Sequence, residues 1–108
     1  MSENQLGEGV NPVAGLVDYQ EGAVVSRTLV KKEKGTVTVF AFDRDQALSE
    51  HTVPHDALVQ VIDGETEITI GGKPHAVRAG EMILMPGSVP HAVKATSRFK
   101  MILTMLRG

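Results

Sequence analysis

From Ala23 onward the chain alternates between short apolar runs and turn residues. VVSRTLV is rich in β-branched residues and bounded by Gly22 and a charged turn, and TVTVFAF alternates threonine with apolar residues, the period of a strand that buries one face. ALVQVI, TEITI, HAVRA, MILM, HAVKA and FKMILTML follow, separated by Asp63-Gly64, Gly71-Gly72, Ala79-Gly80 and the stretch Pro86 to Pro90. Gly71-Gly72 is the clearest hairpin turn, because both central residues take positive φ without steric penalty. No long stretch shows the 3.6-residue apolar period of a helix. About eight short strands at regular turn spacing predict an all-β sandwich or barrel. Residues 1–22 are polar and glycine-rich and read as a loose arm or irregular lead-in, which leaves residues 23–108 as one barrel domain.

Several strands, MILM and MILTML above all, are apolar on both faces. A single barrel buries only one face of each strand, so the other needs cover. A second copy of the chain in a homodimer is the expected cover, and a loop or arm of the same chain is the alternative. Gln60 lies between Leu58 and Ile62, on the strand face opposite Ala57 and Val59, where the outer layer would have to satisfy its amide.

The 108 residues suit one domain, with 42% hydrophobic and 22% charged residues and a net charge of −2. Such a balance points to neither nucleic acid nor an anionic membrane as a partner, and Lys31-Lys32-Glu33-Lys34 reads as a solvated turn. There is no cysteine, so no disulfide, thiolate nucleophile or cysteine zinc site is available, which fits a reducing cytoplasm. MSENQLGEG carries no secretory signal pattern, and no apolar run approaches the roughly 20 residues of a membrane helix. No phosphate-binding glycine loop or nucleophile motif occurs.

The candidate chemistry sits in two segments, HTVPHDALVQVIDG (residues 51–64) and GEMILMPGSVPH (residues 80–91), joined by a hairpin. If the hairpin folds the second over the first, His51 and His91 share one pocket, and paired imidazoles in an apolar cavity are a common start of a metal site. The other reading is a pair of pocket histidines hydrogen-bonded to backbone, to water or to each other. His75 reads as a structural histidine, and Met82, Met85, Met101 and Met105 as core filler, with Met85 near the pocket mouth.

Over about residues 36 to 106 the chain resembles a small single-domain cupin, a double-stranded β-helix or jelly-roll barrel. The family's first motif runs from a glycine through His-x-His and a glutamate to a closing glycine, and its second from a glycine through Pro-x-Gly and a histidine to an asparagine. His51 and Gly64 match the first, and Gly80, Pro86 and His91 match the second. The motif's second histidine falls on Val53, its glutamate on Ala57 and its opening glycine on Asp45; in the second motif, the inner glycine falls on Ser88 and the asparagine on Ala95. The resemblance implies a divalent transition metal (Zn, Fe, Ni, Mn or Cu) held by His51 and His91; His55, four residues after His51, is the candidate third ligand, standing in for the histidine missing at Val53. Pro54 and Val53 make its segment a bent loop, which leaves His55 either turned inward or solvated on the rim. Val53, Ala57, Val59, Val61, Met85 and Val93 are the expected pocket lining, suited to a small, mostly apolar ligand. Two functions stay open: a metal-dependent enzyme such as a dioxygenase or isomerase, and a small-molecule binding or sensing module without metal.

Overall fold

Alternation of β-branched and polar residues produces nine strands among the described residues: β1 (Val24–Lys32), β2 (Gly35–Phe42), β3 (Ala47–His51), β4 (Asp56–Asp63), β5 (Glu65–Ile70), β6 (Lys73–Arg78), β7 (Met82–Met85), β8 (His91–Ala95) and β9 (Phe99–Leu106). The structure, a computed structural model, describes residues 6–107. The first five positions of the expected lead-in, and Gly108, lie outside them. The strands form a five-stranded sheet in the order β1-β2-β9-β4-β7 and a four-stranded sheet in the order β3-β8-β5-β6. All pairings are antiparallel. The chain is an all-β jelly-roll barrel: the pattern predicted a sandwich or barrel, and the resemblance the jelly roll. Gly71 and Gly72 take φ of 57° and 81° and close the β5–β6 hairpin.

The main core lies between the sheets. Inward positions of β2, β4, β5, β8 and β9 bury Phe42, Val59, Val61, Ile68, Val93 and Phe99 almost completely. Each such side chain contributes about 1.5–3 kcal/mol over leaving it in water. Phe42 and Phe99 stack with ring centroids 4.5 Å apart, joining neighbouring positions of β2 and β9.

A second cluster covers the outer face of the five-stranded sheet near β1 and β2. Leu16, Val17 and Tyr19 of the lead-in pack there against Leu29, Val39, Ala41 and Ile102. The lead-in carries one short 3-10 turn, Val13–Gly15. Lys100 pins it down, its Nζ donating to the Ala14 carbonyl at 2.6 Å and lying 4.9 Å from the Tyr19 ring centroid. This chain therefore covers part of its own outer face. Met82, Leu84 and Leu106, farther along that sheet, stay exposed. Among the described residues no helix is long and apolar enough to cross a membrane.

One strand escaped the sequence pattern. β3 (ALSEH) is mostly exposed because it is an edge strand, paired only with β8. It shows no apolar alternation, yet it carries His51.

Candidate functional site

The site is built where β3 meets β8. Their register shifts between Leu48 and His51, and beyond the shift His51 stands directly opposite His91. The two rings meet edge to face, with centroids 4.4 Å apart and planes at 68°. His91 is 4% exposed, whereas His51 is open to solvent at the mouth.

Both rings are oriented by the backbone two residues upstream. His51 Nδ1 lies 3.0 Å from the Ser49 carbonyl, and His91 Nδ1 lies 3.3 Å from the Val89 carbonyl. A carbonyl only accepts, so each Nδ1 carries the proton and each neutral ring keeps its lone pair on Nε2. Burial holds the His91 pKa below the usual histidine value, and the neighbouring His51 pushes the same way; the Val89 carbonyl opposes them. The pair is therefore set up as two electron-pair donors.

Behind the rings lies a cavity of about 80 Å³ lined by Leu48, Val53, Ala57, Met85, Val93, Met101, Leu103 and Met105. His51 and His91 complete its wall. The five-stranded sheet supplies Ala57 from β4, in register with Met85 of β7 on one side and Met105 of β9 on the other. A methyl group between two long side chains leaves the gap. The mouth is held by two loops. Ser88 N donates to the Val53 carbonyl at 2.7 Å, and Gly87 N donates to Asp56 Oδ1 at 2.8 Å. Ser88 takes φ of 65° to make that turn.

The structure thus brings together His51, His91, Val53, Ala57, Met85 and Val93. It does not bring His55 to them. His55 is half-buried in the loop before β4 and does not line the cavity. Val59 and Val61, expected in the lining, are 0% and 2% exposed and sit in the main core, past the end of the cavity, because each step of two along β4 moves them farther from the mouth. Leu48, Met101, Leu103 and Met105 line the cavity without having been expected there. The parity of FKMILTML could have found the last three, since every second residue of that strand shares a face.

Two imidazoles without a carboxylate do not make the divalent site the resemblance implies. Among the described residues no group of three or more His, Asp or Glu side chains stands close enough to hold a metal ion. Open divalent sites use about three protein ligands plus water. With Ala57 in the glutamate's place and His55 outside the cavity, the set is one or two ligands short.

The comparisons agree with this architecture. A conserved protein of unknown function from Streptococcus pyogenes is 34% identical over 100% of this chain and 96% of its own, with a TM-score of 0.92. A cupin 2 conserved barrel domain protein from Leptotrichia buccalis is 42% identical, with a TM-score of 0.84; the match covers 87% of this chain but only 46% of that longer one. A cupin superfamily protein from Desulfitobacterium hafniense is 25% identical, with a TM-score of 0.90 over 98% of this chain and 97% of its own. No curated protein gives a significant match. The cupin domain model matches residues 38–106, which hold all of β4 to β9 and both site histidines, and on that match the chain belongs to the cupin family.

Proposed function

We propose that this cupin is a ligand-binding module whose recognition groups are the Nε2 lone pairs of His51 and His91. The observation that carries the reading is the pairing of these two oriented acceptors with an otherwise apolar cavity. The matching occupant is small and mostly apolar, with a hydrogen-bond-donating head. Ala57 stands where the resemblance puts a carboxylate, so the two histidines would have to supply both the acid and the base of any proton transfer, with no carboxylate in the lining to orient or assist them. That favours binding over the enzyme reading. The cysteine-free chain needs no oxidising compartment, and the reading places the module in the cytoplasm.

The module is a homodimer in this reading. Met82, Leu84 and Leu106 are 57%, 50% and 59% exposed on the outer face that the lead-in leaves bare, and β7 is an unpaired sheet edge beside them.

Phenol serves as the probe, with an apolar ring and one donor. In a nitrogen-15 NMR titration of histidine-labelled protein, phenol should move the Nε2 resonances of His51 and His91 saturably and leave those of His55 and His75 in place. His51→Ala should weaken the binding at least about tenfold, the loss of about 1.4 kcal/mol. Shifts that spread equally over all four histidines, or none, overturn the reading.

A further inference from the structure

The cavity has a second set of donors besides its imidazoles. Met85 and Met105 flank Ala57 from the two neighbouring strands, at the same level of the sheet, and both line the cavity. Two strand spacings separate them, roughly 10 Å between backbones. Each thioether hangs on three rotatable bonds, so both sulphurs can converge over the methyl group between them. The imidazole pair faces them from the opposite sheet, with its protons already committed to backbone carbonyls. Two neutral nitrogens and two thioethers without a carboxylate are a poor set for a hard or borderline divalent ion. They are a good set for a soft monovalent one, since thioether ligands select Cu(I).

We infer that this cavity is a Cu(I) site, held by Nε2 of His51 and His91 on one wall and by the sulphurs of Met85 and Met105 on the other. The inference rests on the reading of the cavity as a binding site and goes beyond its organic ligand to a second occupant that competes for the same two imidazoles. All four donors are neutral, so the ion brings a single positive charge into an apolar chamber and needs no counter-charge from a carboxylate. Met101 also lines the cavity, four residues before Met105 on the same face of β9, and stands deeper toward the core as a third thioether-bearing wall position rather than a required ligand.

The test is an anaerobic titration of the tag-free, metal-stripped protein with Cu(I), using bicinchoninate as the competing chelator, alongside copper X-ray absorption. Wild-type protein should take up one equivalent and show sulphur as well as nitrogen scatterers. Met85→Leu/Met105→Leu conserves side-chain volume and keeps the fold. It should weaken Cu(I) binding by at least roughly 10- to 100-fold, the loss that even outer-shell partners of a metal cause. Zn(II) binding should remain weak and unchanged. His51→Ala, at an exposed position, should weaken Cu(I) binding comparably. Failure of wild-type protein to bind one equivalent, or equal affinity in the double leucine variant without any sulphur signal, overturns the inference and leaves the methionines as packing. Phenol separates the two readings: if it still moves the His51 and His91 resonances when Cu(I) does not bind, only the copper assignment falls. If Cu(I) occupies the cavity as inferred, one equivalent abolishes the phenol-induced shifts.

Discussion

Gly87 stands against the backbone of Pro54. A methyl group at position 87 would come within 2.9 Å of the Pro54 carbonyl oxygen and 3.1 Å of the His55 carbonyl carbon. The neighbour is main chain, which has no flexible end to move aside. Gly87→Ala therefore pushes apart the two loops that frame the cavity mouth and strains the bonds from Ser88 N to Val53 and from Gly87 N to Asp56. We expect a loss of about 1–3 kcal/mol in urea unfolding, in the range of overpacking effects. A variant as stable as wild type would show that the loops do not touch in solution.

Ala57 offers a direct test of why the described residues fall short of a three-ligand divalent site. It is 4% exposed and lies between Met85 and Met105. Ala57→Glu places a carboxyl group in an apolar chamber and should cost about 2–4 kcal/mol at neutral pH. The same carboxylate joins two imidazoles to make three ligands, enough for an open zinc site. Zn(II) at 100-fold above its dissociation constant should then return about 2.7 kcal/mol to the variant. Wild-type protein should gain far less. Thermal unfolding with and without Zn(II) reads both effects.

The sequence pattern was legible where burial is one-sided and illegible where it is not. TVTVFAF and ALVQVI announced β2 and β4 because their inward residues meet a core. β3 was hidden because an edge strand with four exposed residues of five has no reason to alternate. The family motif nevertheless placed His51, whose partner His91 lies forty positions away. Spacing alone could not decide His55, since a loop with Pro54 turns its side chains by contacts with another loop, here Gly87. The depth of the cavity was equally hidden. Val59 and Met105 both read as inward, but only the contact of β4 with β7 and β9 shows that the space opens at the level of Ala57.

The lead-in depends on Lys100, which is 8% exposed and donates to the Ala14 carbonyl beneath the Tyr19 ring. Tyr19 in turn donates to Asp63 Oδ2 at 2.6 Å; burial first and this carboxylate second push its phenol pKa well above the usual value. Lys100→Met keeps the apolar stem and deletes the bond. It should cost about 1.5–3 kcal/mol, the value of a hydrogen bond to a charged group. Amide exchange should accelerate at Gly15 and Leu16, whose bonds close the short turn, by more than it does at the β4 and β9 amides, which follow only the global loss. Uniform acceleration along the whole chain would mean that the lead-in and barrel unfold together.

Asp43 ties the end of β2 to two other segments. It accepts from Arg98 Nε at 2.8 Å, from Gly22 N at 2.7 Å and from Arg44 N at 2.9 Å. The Arg98 bond, followed by the two backbone donors, lowers its pKa to about 2. The unfolded chain holds a proton on this carboxyl up to about pH 3.9. The folded state therefore releases it more readily, so the stabilisation is complete above about pH 4 and is lost as pH falls toward 2. Asp43→Asn should flatten the dependence of unfolding free energy on pH between 4 and 2. An unchanged slope would assign the acid sensitivity to other carboxylates.

Leu84 decides the dimer. It lies on the outer face of β7 in register with Leu58, beside Met82 opposite Gln60, and half of its surface is exposed. If a second copy covers this face, Leu84→Lys puts two charges related by the symmetry axis into an apolar contact, together with the loss of the leucines. The dimer should weaken by at least about a hundredfold, or about 2.8 kcal/mol. Light scattering coupled to size exclusion, run over a dilution series, should give a dimer for wild type and a monomer for the variant. The barrel's own core lies on the opposite face of the strand, so the variant should keep its fold and its phenol response. Wild-type protein that elutes as a monomer at every concentration removes the homodimer, while the cavity and its two histidines, built within one chain, stand as they are.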